Sequence, residues 1–361
     1  MLKQLLLSTL AAVFPAGAPA SETLLVSNGG AGTVDVIDLG AGARELTLRL
    51  EGGPGAMAIS PDGTTAIVAM PGQLAAGHSI GVIDVVHQSL IRTIRLEGPG
   101  PEVGSGTMTF WRPRGVAFLP DGQTVVVSSE GTGLVAIVHL GRGQVLGSAR
   151  SGGELPQDIV VSRDGRFAFV ANRGTGNVGV INLSRRRLTE TIDVGGDPGA
   201  MTLSPDKSTL WVANRGTNSI SVIDVAERSV QVEFPCGSYP QDLEFTPDGK
   251  FLLCANLSPG SISVFDVASL KAIAEIDMPR ISQKVADRRP APKGLLVRRS
   301  SMPVAIQVSS DGALAWVALQ RLDEVVEVSL DSGEIQRRFS VGSEPTRLIR
   351  ATMPAPPVQS K

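Results

Sequence analysis

Aromatic side chains are scarce: the 361 residues hold ten Phe, three Trp and one Tyr, alongside three His and two Cys. So few rings exclude a long surface on which bases or sugars stack in succession. His78, His87 and His139 are too scattered to form a metal-ligand set, and two thiols without a His pair lack the ligand count of a zinc centre. Neither charge sign dominates. Thirty-three Lys and Arg against 35 Asp and Glu leave a formal net charge of −2, so no global field draws the chain onto nucleic acid or an anionic membrane. The apolar run from Leu5 to Phe14 is shorter than the roughly 20 residues a membrane span needs, and no later segment reaches that length. The HExxH, CxxCH, P-loop and dinucleotide signatures are missing. Gly77-His78-Ser79-Ile80-Gly81 matches G-x-S-x-G, but it reads as a strand-to-strand loop, whereas a nucleophile elbow needs a strand-to-helix turn. The sequence therefore assigns no catalytic residue, no cofactor and no metal.

Gly (41) and Pro (24) are abundant, and the apolar runs between them are short, which speaks for turns and strands. The first twenty residues differ from the rest. A basic start (Met1-Leu2-Lys3), an apolar run and Ala18-Pro19-Ala20 have the form of a secretory signal peptide cleaved after Ala20, so a periplasmic or secreted mature chain is expected. Cys236 and Cys254 would then meet an oxidising compartment. Cys254 falls in a strand and Cys236 in a loop ahead of that strand's partner, a placement that leaves both a disulfide and two thiols open.

An internal repeat dominates the chain. Turns built on Asp62, Asp121, Asp164, Asp206, Asp248 and Asp311 recur as variants of S-P-D-G, with a basic spacing of 42–43 residues, the length of one four-stranded propeller blade. Each turn joins two apolar runs. The first usually opens with Pro, as in Pro198 to Ser204, and the second follows the turn, as in Leu210-Trp211-Val212-Ala213-Asn214. Two alternating strands complete the unit, here called a, b, c and d. Strand a occurs seven times. The first strand b, at Leu24, has no a before it, and the last a, at Pro345, has nothing after it. The expected fold is all-β: a seven-bladed β-propeller of four-stranded antiparallel blades, closed where strand 345–351 joins strands 22–50. It forms one domain over residues 21–352, followed by a Pro-rich tail, 353–361, with the composition of a disordered segment.

The segments Val170-Ala171-Asn172-Arg173-Gly174-Thr175-Gly176-Asn177 and Val212-Ala213-Asn214-Arg215-Gly216-Thr217-Asn218-Ser219 resemble the YVTN-type repeat of YncE-like periplasmic β-propellers, over essentially the whole mature chain. The resemblance implies that the b–c and d–a loops share one face of the ring. Three departures from the plain repeat fall there: Pro71 to Ser79, 97–112 and 277–302. Loops on a rigid scaffold are where binding concentrates, so this face is the expected functional one. Trp111, Arg112 and Arg114 end the first d–a insertion, and Trp and Arg dominate binding hot spots. The second insertion carries seven basic residues between 280 and 299, Arg288 and Arg289 among them, against Asp287; it either folds onto the acidic ring or reaches for an acidic partner. Arg173, Arg215, Arg321 and Arg347 stand at the mouth with Glu130, Asp158, Asp197 and Asp242. The carboxylates either hold a cation or pair with the Arg, and four inward Arg suit an anionic small molecule or an acidic loop. Trp211 and Trp316 share a repeat slot with Leu25, Ile67, Val126, Phe169 and Leu253, which marks them as core. The function expected is non-enzymatic: a binding or scaffold propeller that takes an anionic ligand or an acidic protein, a periplasmic dehydrogenase being one such partner. The alternatives are an accessory subunit or enzyme of a quinoprotein-type oxidoreductase system, or a hydrolase akin to the propeller lactonases.

Overall fold

A computed structural model describes residues 22–73, 75–102, 104–288 and 299–352. The expected signal peptide, the expected tail and Arg289 lie outside these. Seven four-stranded antiparallel sheets form the ring. Blades 2 to 7 are built from consecutive strands: Met57–Ile59 to Ser89–Arg95, Pro113–Phe118 to Gln144–Arg150, Pro156–Val161 to Arg187–Asp193, Pro198–Leu203 to Ser229–Pro235, Ser238–Phe245 to Lys271–Asp277, and Pro303–Val308 to Ile335–Ser340. Blade 1 is the closure. Its inner strand, Pro345–Thr352, pairs antiparallel with Glu22–Asn28, with Leu25 opposite Ile349. Closure leaves each blade a neighbour on both faces, and the core divides accordingly into seven apolar clusters, one between each pair of adjacent blades. Trp316 lies between blades 7 and 1 and Trp211 between blades 5 and 6, both as core.

The repeated residues each close a local circuit. At the a–b turns, Asp206 accepts from Ser204 Oγ at 2.6 Å and from the Ser208 amide at 3.0 Å, and Asp62, Asp164, Asp248 and Asp311 repeat the arrangement. The hydroxyl two residues earlier is the main reason these carboxyls lie below the usual range. At the other end of strand b, buried Asn214 donates to Ser221 Oγ at 2.8 Å and ties b to c beneath the loop. Gly195 must be Gly, because a Cβ there would sit 2.8 Å from that Asn side chain.

The first insertion folds as a ribbon, Glu97–Pro99 with Thr107–Thr109. It lies beside the outer strand of blade 3, where Ser148 Oγ donates to Pro99 O at 2.8 Å and Gly98 faces Val145. That cover buries much of 144–150, whereas the outer strands of blades 1 and 2 are mostly exposed. The second insertion includes a short helix, Gln283–Arg288. Cys236 and Cys254 are both thiols; Cys254 is buried, and its contact with Cys236, together with that burial, pushes its thiol up.

Candidate functional site

The inner strands converge on a central channel, and each has its Pro at or near its start, at the face that carries the b–c and d–a loops. The second residue after that Pro is Ala56, Gly115, Asp158, Ala200, Asp242, Ala305 or Arg347, depending on the blade. This layer divides the channel. A cavity of about 370 Å³ opens above it at the mouth, a second of about 360 Å³ lies below, and Ala56, Asp158 and Arg347 line both.

The two carboxylates of the layer brace the ring. Asp242 Oδ2 accepts from the Ile306 amide of the next blade at 2.8 Å, and Asp158 Oδ2 accepts from the Met201 amide of its next blade at 2.9 Å. Asp242 has a second duty. Its Oδ1 meets Arg347 Nη1 at 2.7 Å, an ion pair between blades 6 and 1 that passes over blade 7 where only Ala305 stands in the layer. Asp242, then Asp158 and Glu244, hold Arg347 more firmly cationic than an ordinary guanidinium. Of the alternatives the sequence left open for the paired motifs, Asp242 takes the ion pair, while Asp158 takes backbone amides.

Glu244 lies one step deeper, in a slot that other blades fill with Ala58, Ala117, Val160, Thr202, Gln307 or Ile349. Desolvation by the narrow wall and the nearby Asp242 charge raise its carboxyl from 4.5 to about 8. Sequence reasoning missed this residue. The available signal was the contrast between Pro240-Gln241-Asp242-Leu243-Glu244 and Pro156-Gln157-Asp158-Ile159-Val160, a charge where its sister blade is apolar.

At the mouth, Arg114 is locked to Glu130 Oε2 through Nε at 2.9 Å and Nη2 at 2.8 Å. Arg173 pairs with Asp197 at 3.1 Å. Arg215 differs. Its guanidinium lies across Gly199 in the cavity wall, its Nε is buried without a hydrogen bond, and among the described residues no carboxylate stands within ion-pair distance of it, Asp197 and Asp158 acting only from farther off. Burial lowers its pKa from the ordinary guanidinium value, and an arginine in a protein keeps its charge. Around it the lining mixes amides and hydroxyls (Gln157, Gln241, Gln320, Tyr239) with an apolar wall that includes Leu257 and Met302.

Of the residues singled out from sequence, Arg114, Arg215 and Arg347 come together in this cavity. Asp158 lines it too, and Asp242 pairs with Arg347. Phe110 is fully buried between blades 2 and 3, and Trp111, 40% exposed, packs its ring edge against His78 at 4.6 Å. Arg112 donates its backbone amide to Gly77 O at 2.8 Å, with its side chain exposed. Arg321 is buried and donates to Ser300 O at 3.2 Å, so it anchors the base of the second insertion. Arg288 ends the short helix. Ser79 opens a strand, not a helix.

A family model described as "Lactonase, 7-bladed beta-propeller" matches residues 186–272, from the outer strand of blade 4 through nearly all of blade 6. Among curated proteins no sequence matches the chain. Many solved structures share the architecture, the following two among them. Hydrazine synthase of Kuenenia stuttgartiensis superposes with a TM-score of 0.64 at 20% identity, covering 81% of this chain and 88% of that one. A functionally unknown protein from Desulfotomaculum acetoxidans DSM 771 superposes with a TM-score of 0.71 at 12% identity, covering 92% and 99%. At such identities the likeness establishes the seven-bladed propeller fold.

Proposed function

We propose that the chain is an exported, non-enzymatic binding propeller whose channel mouth takes an anionic group, carried by a small molecule or by an acidic loop of a protein partner. One observation carries this reading: among the described residues Arg215 faces the cavity without a carboxylate at ion-pair distance, while Arg114, Arg173 and Arg347 each have one. Burying a cation without a counter-charge is costly, and a carboxylate or phosphate from a ligand offsets that cost with charge-assisted hydrogen bonds. The cavity has the volume of a small-molecule pocket, and its amides and hydroxyls suit a hydroxylated anion.

The family match favours a second reading, a hydrolase of the lactonase type acting in the same cavity, since residues 186–272 include Arg215, Tyr239 and Gln241 of its lining. Calorimetric titration with gluconate, succinate and inorganic phosphate tests the first reading. At least one should bind, and Arg215→Met should weaken it roughly 10- to 100-fold, as expected for charged hydrogen bonds worth about 1.5–3 kcal/mol, while Arg112→Met leaves it unchanged. Opening of glucono-δ-lactone above the spontaneous rate, lost in Arg215→Met, would replace binding with the second reading.

A further inference from the structure

The face opposite the mouth, made of the a–b and c–d turns, has an uneven charge. On blade 4 these turns carry Arg163, Arg166, Arg185, Arg186 and Arg187 against Asp164, all exposed. Where the other blades begin the a–b turn with Pro61, Pro120, Pro205, Pro247 or Ser310, blade 4 has Arg163. The charges are largely uncompensated among the described residues: Arg166 reaches Asp164 only at 3.9 Å, Arg186 donates to a backbone carbonyl, and Arg163, Arg185 and Arg187 have no ion pair there. Three blades around the ring the pattern inverts. Blade 7 presents Asp311 on its a–b turn and Asp331 and Glu334 on its c–d turn, exposed and with no basic residue in either turn.

We infer that this face is the interface of a two-fold dimer, its partner a second copy of the chain. A two-fold axis in the plane of the face, running through blade 2 and between blades 5 and 6, carries blade 4 onto blade 7 while keeping each turn at its own radius. The c–d arginines Arg185 and Arg187 then meet Asp331 and Glu334, and the a–b arginines Arg163 and Arg166 meet Asp311, twice over by symmetry. The same operation sets Arg142 of blade 3 against Asp38 of blade 1, and Glu227 of blade 5 against Lys271 of blade 6. Like charges also meet where the repeat puts the same residue type in matching turns, Asp164 on Asp311, Asp206 on Asp248 and Lys207 near Lys250, and where blade 2 faces itself through Asp62 and Asp84, the latter with His87 at 2.8 Å; on blades 4 and 7 the five arginines outnumber Asp164. An extended polyanion or lipid surface fits less well, because beyond blade 4 it would meet the carboxylates of blades 1, 2 and 7. This surface is independent of the mouth.

Sedimentation of the mature chain tests the inference at about 0.01 M ionic strength, where charges reach about 30 Å, and at about 1 M, where they reach about 3 Å. The expected result is a dimer at low salt and a monomer at high salt. Arg185→Glu with Arg187→Glu should be monomeric at low salt, as should Asp331→Lys with Glu334→Lys. An equimolar mixture of the two should form a heterodimer, because both symmetry-related contacts are then complementary. Monomeric wild-type protein at low salt, a dimer that survives either reversal, or a mixture that stays monomeric would each overturn the proposal; unchanged circular dichroism of the variants excludes unfolding as the cause.

Discussion

Asp242→Ala removes two supports of the channel layer together, the ion pair to Arg347 and the acceptor of the Ile306 amide. Stripping one member from a fully buried pair costs about 3–5 kcal/mol. The Arg347 side chain retains 29% exposure, so water recovers part of that. An amide left without its acceptor costs about 1–3 kcal/mol. Together these give a loss of about 3 kcal/mol, read in equilibrium urea unfolding as a lower midpoint at an unchanged slope. Replacing both charges by apolar groups behaves differently, because no charge is then stranded. The double variant Asp242→Leu, Arg347→Met should therefore lose less than the sum of its single variants by about 2 kcal/mol. A cost below about 1 kcal/mol for Asp242→Ala, or strict additivity in the cycle, would refute the reasoning that this pair holds blades 6 and 1 together across blade 7.

Three other perturbations probe the same architecture. Glu244 has a carboxyl raised from 4.5 to about 8, so its protonated form is favoured in the fold; the stability it contributes is complete below pH 4.5 and lost as pH rises to about 8. Glu244→Gln should flatten the decline of unfolding free energy across that window, by up to about 1.4 kcal/mol per pH unit, and identical pH profiles would contradict the assignment. Phe110→Ala should cost about 3–5 kcal/mol in urea unfolding, because the ring is fully buried between blades 2 and 3; a loss below 1 kcal/mol would mean that the insertion is not pinned there. In Gly115→Ala the new methyl would lie 2.6 Å from Gln157 O and 2.7 Å from Ile159 N, both backbone atoms of blade 4. The two inner strands must part, and a destabilisation of about 1–3 kcal/mol by thermal unfolding is expected, with neutrality counting against the packing described.

The ring was legible in the sequence because every repeat residue answers a local need. The turn Asp, the Asn that ends strand b and the Pro that opens strand a each act within a few residues of where they stand, and they recur with the blade. The open ends were equally readable, since strand 345–352 supplies what the first blade lacks. Arg215 and Arg347 could be placed at the mouth because they occupy strand-loop junctions of the repeat. Glu244 could not, because its altered carboxyl arises from how closely the inner strands converge, a distance no periodicity encodes. Trp111 shows the reverse. With Arg112 and Arg114 it suggested a binding anchor on the loop face, but the ribbon before it docks on the outer strand of blade 3 and the indole lies against His78.

The central claim is that the mouth holds an anion on Arg215, and a bromide soak read by anomalous scattering tests it most directly. Crystals of the wild-type chain should show a bromide in contact with the Arg215 guanidinium inside the mouth cavity, and crystals of Arg215→Met should lack it. Bromide at exposed arginines with none at Arg215, or an unchanged mouth peak in the variant, would contradict the account.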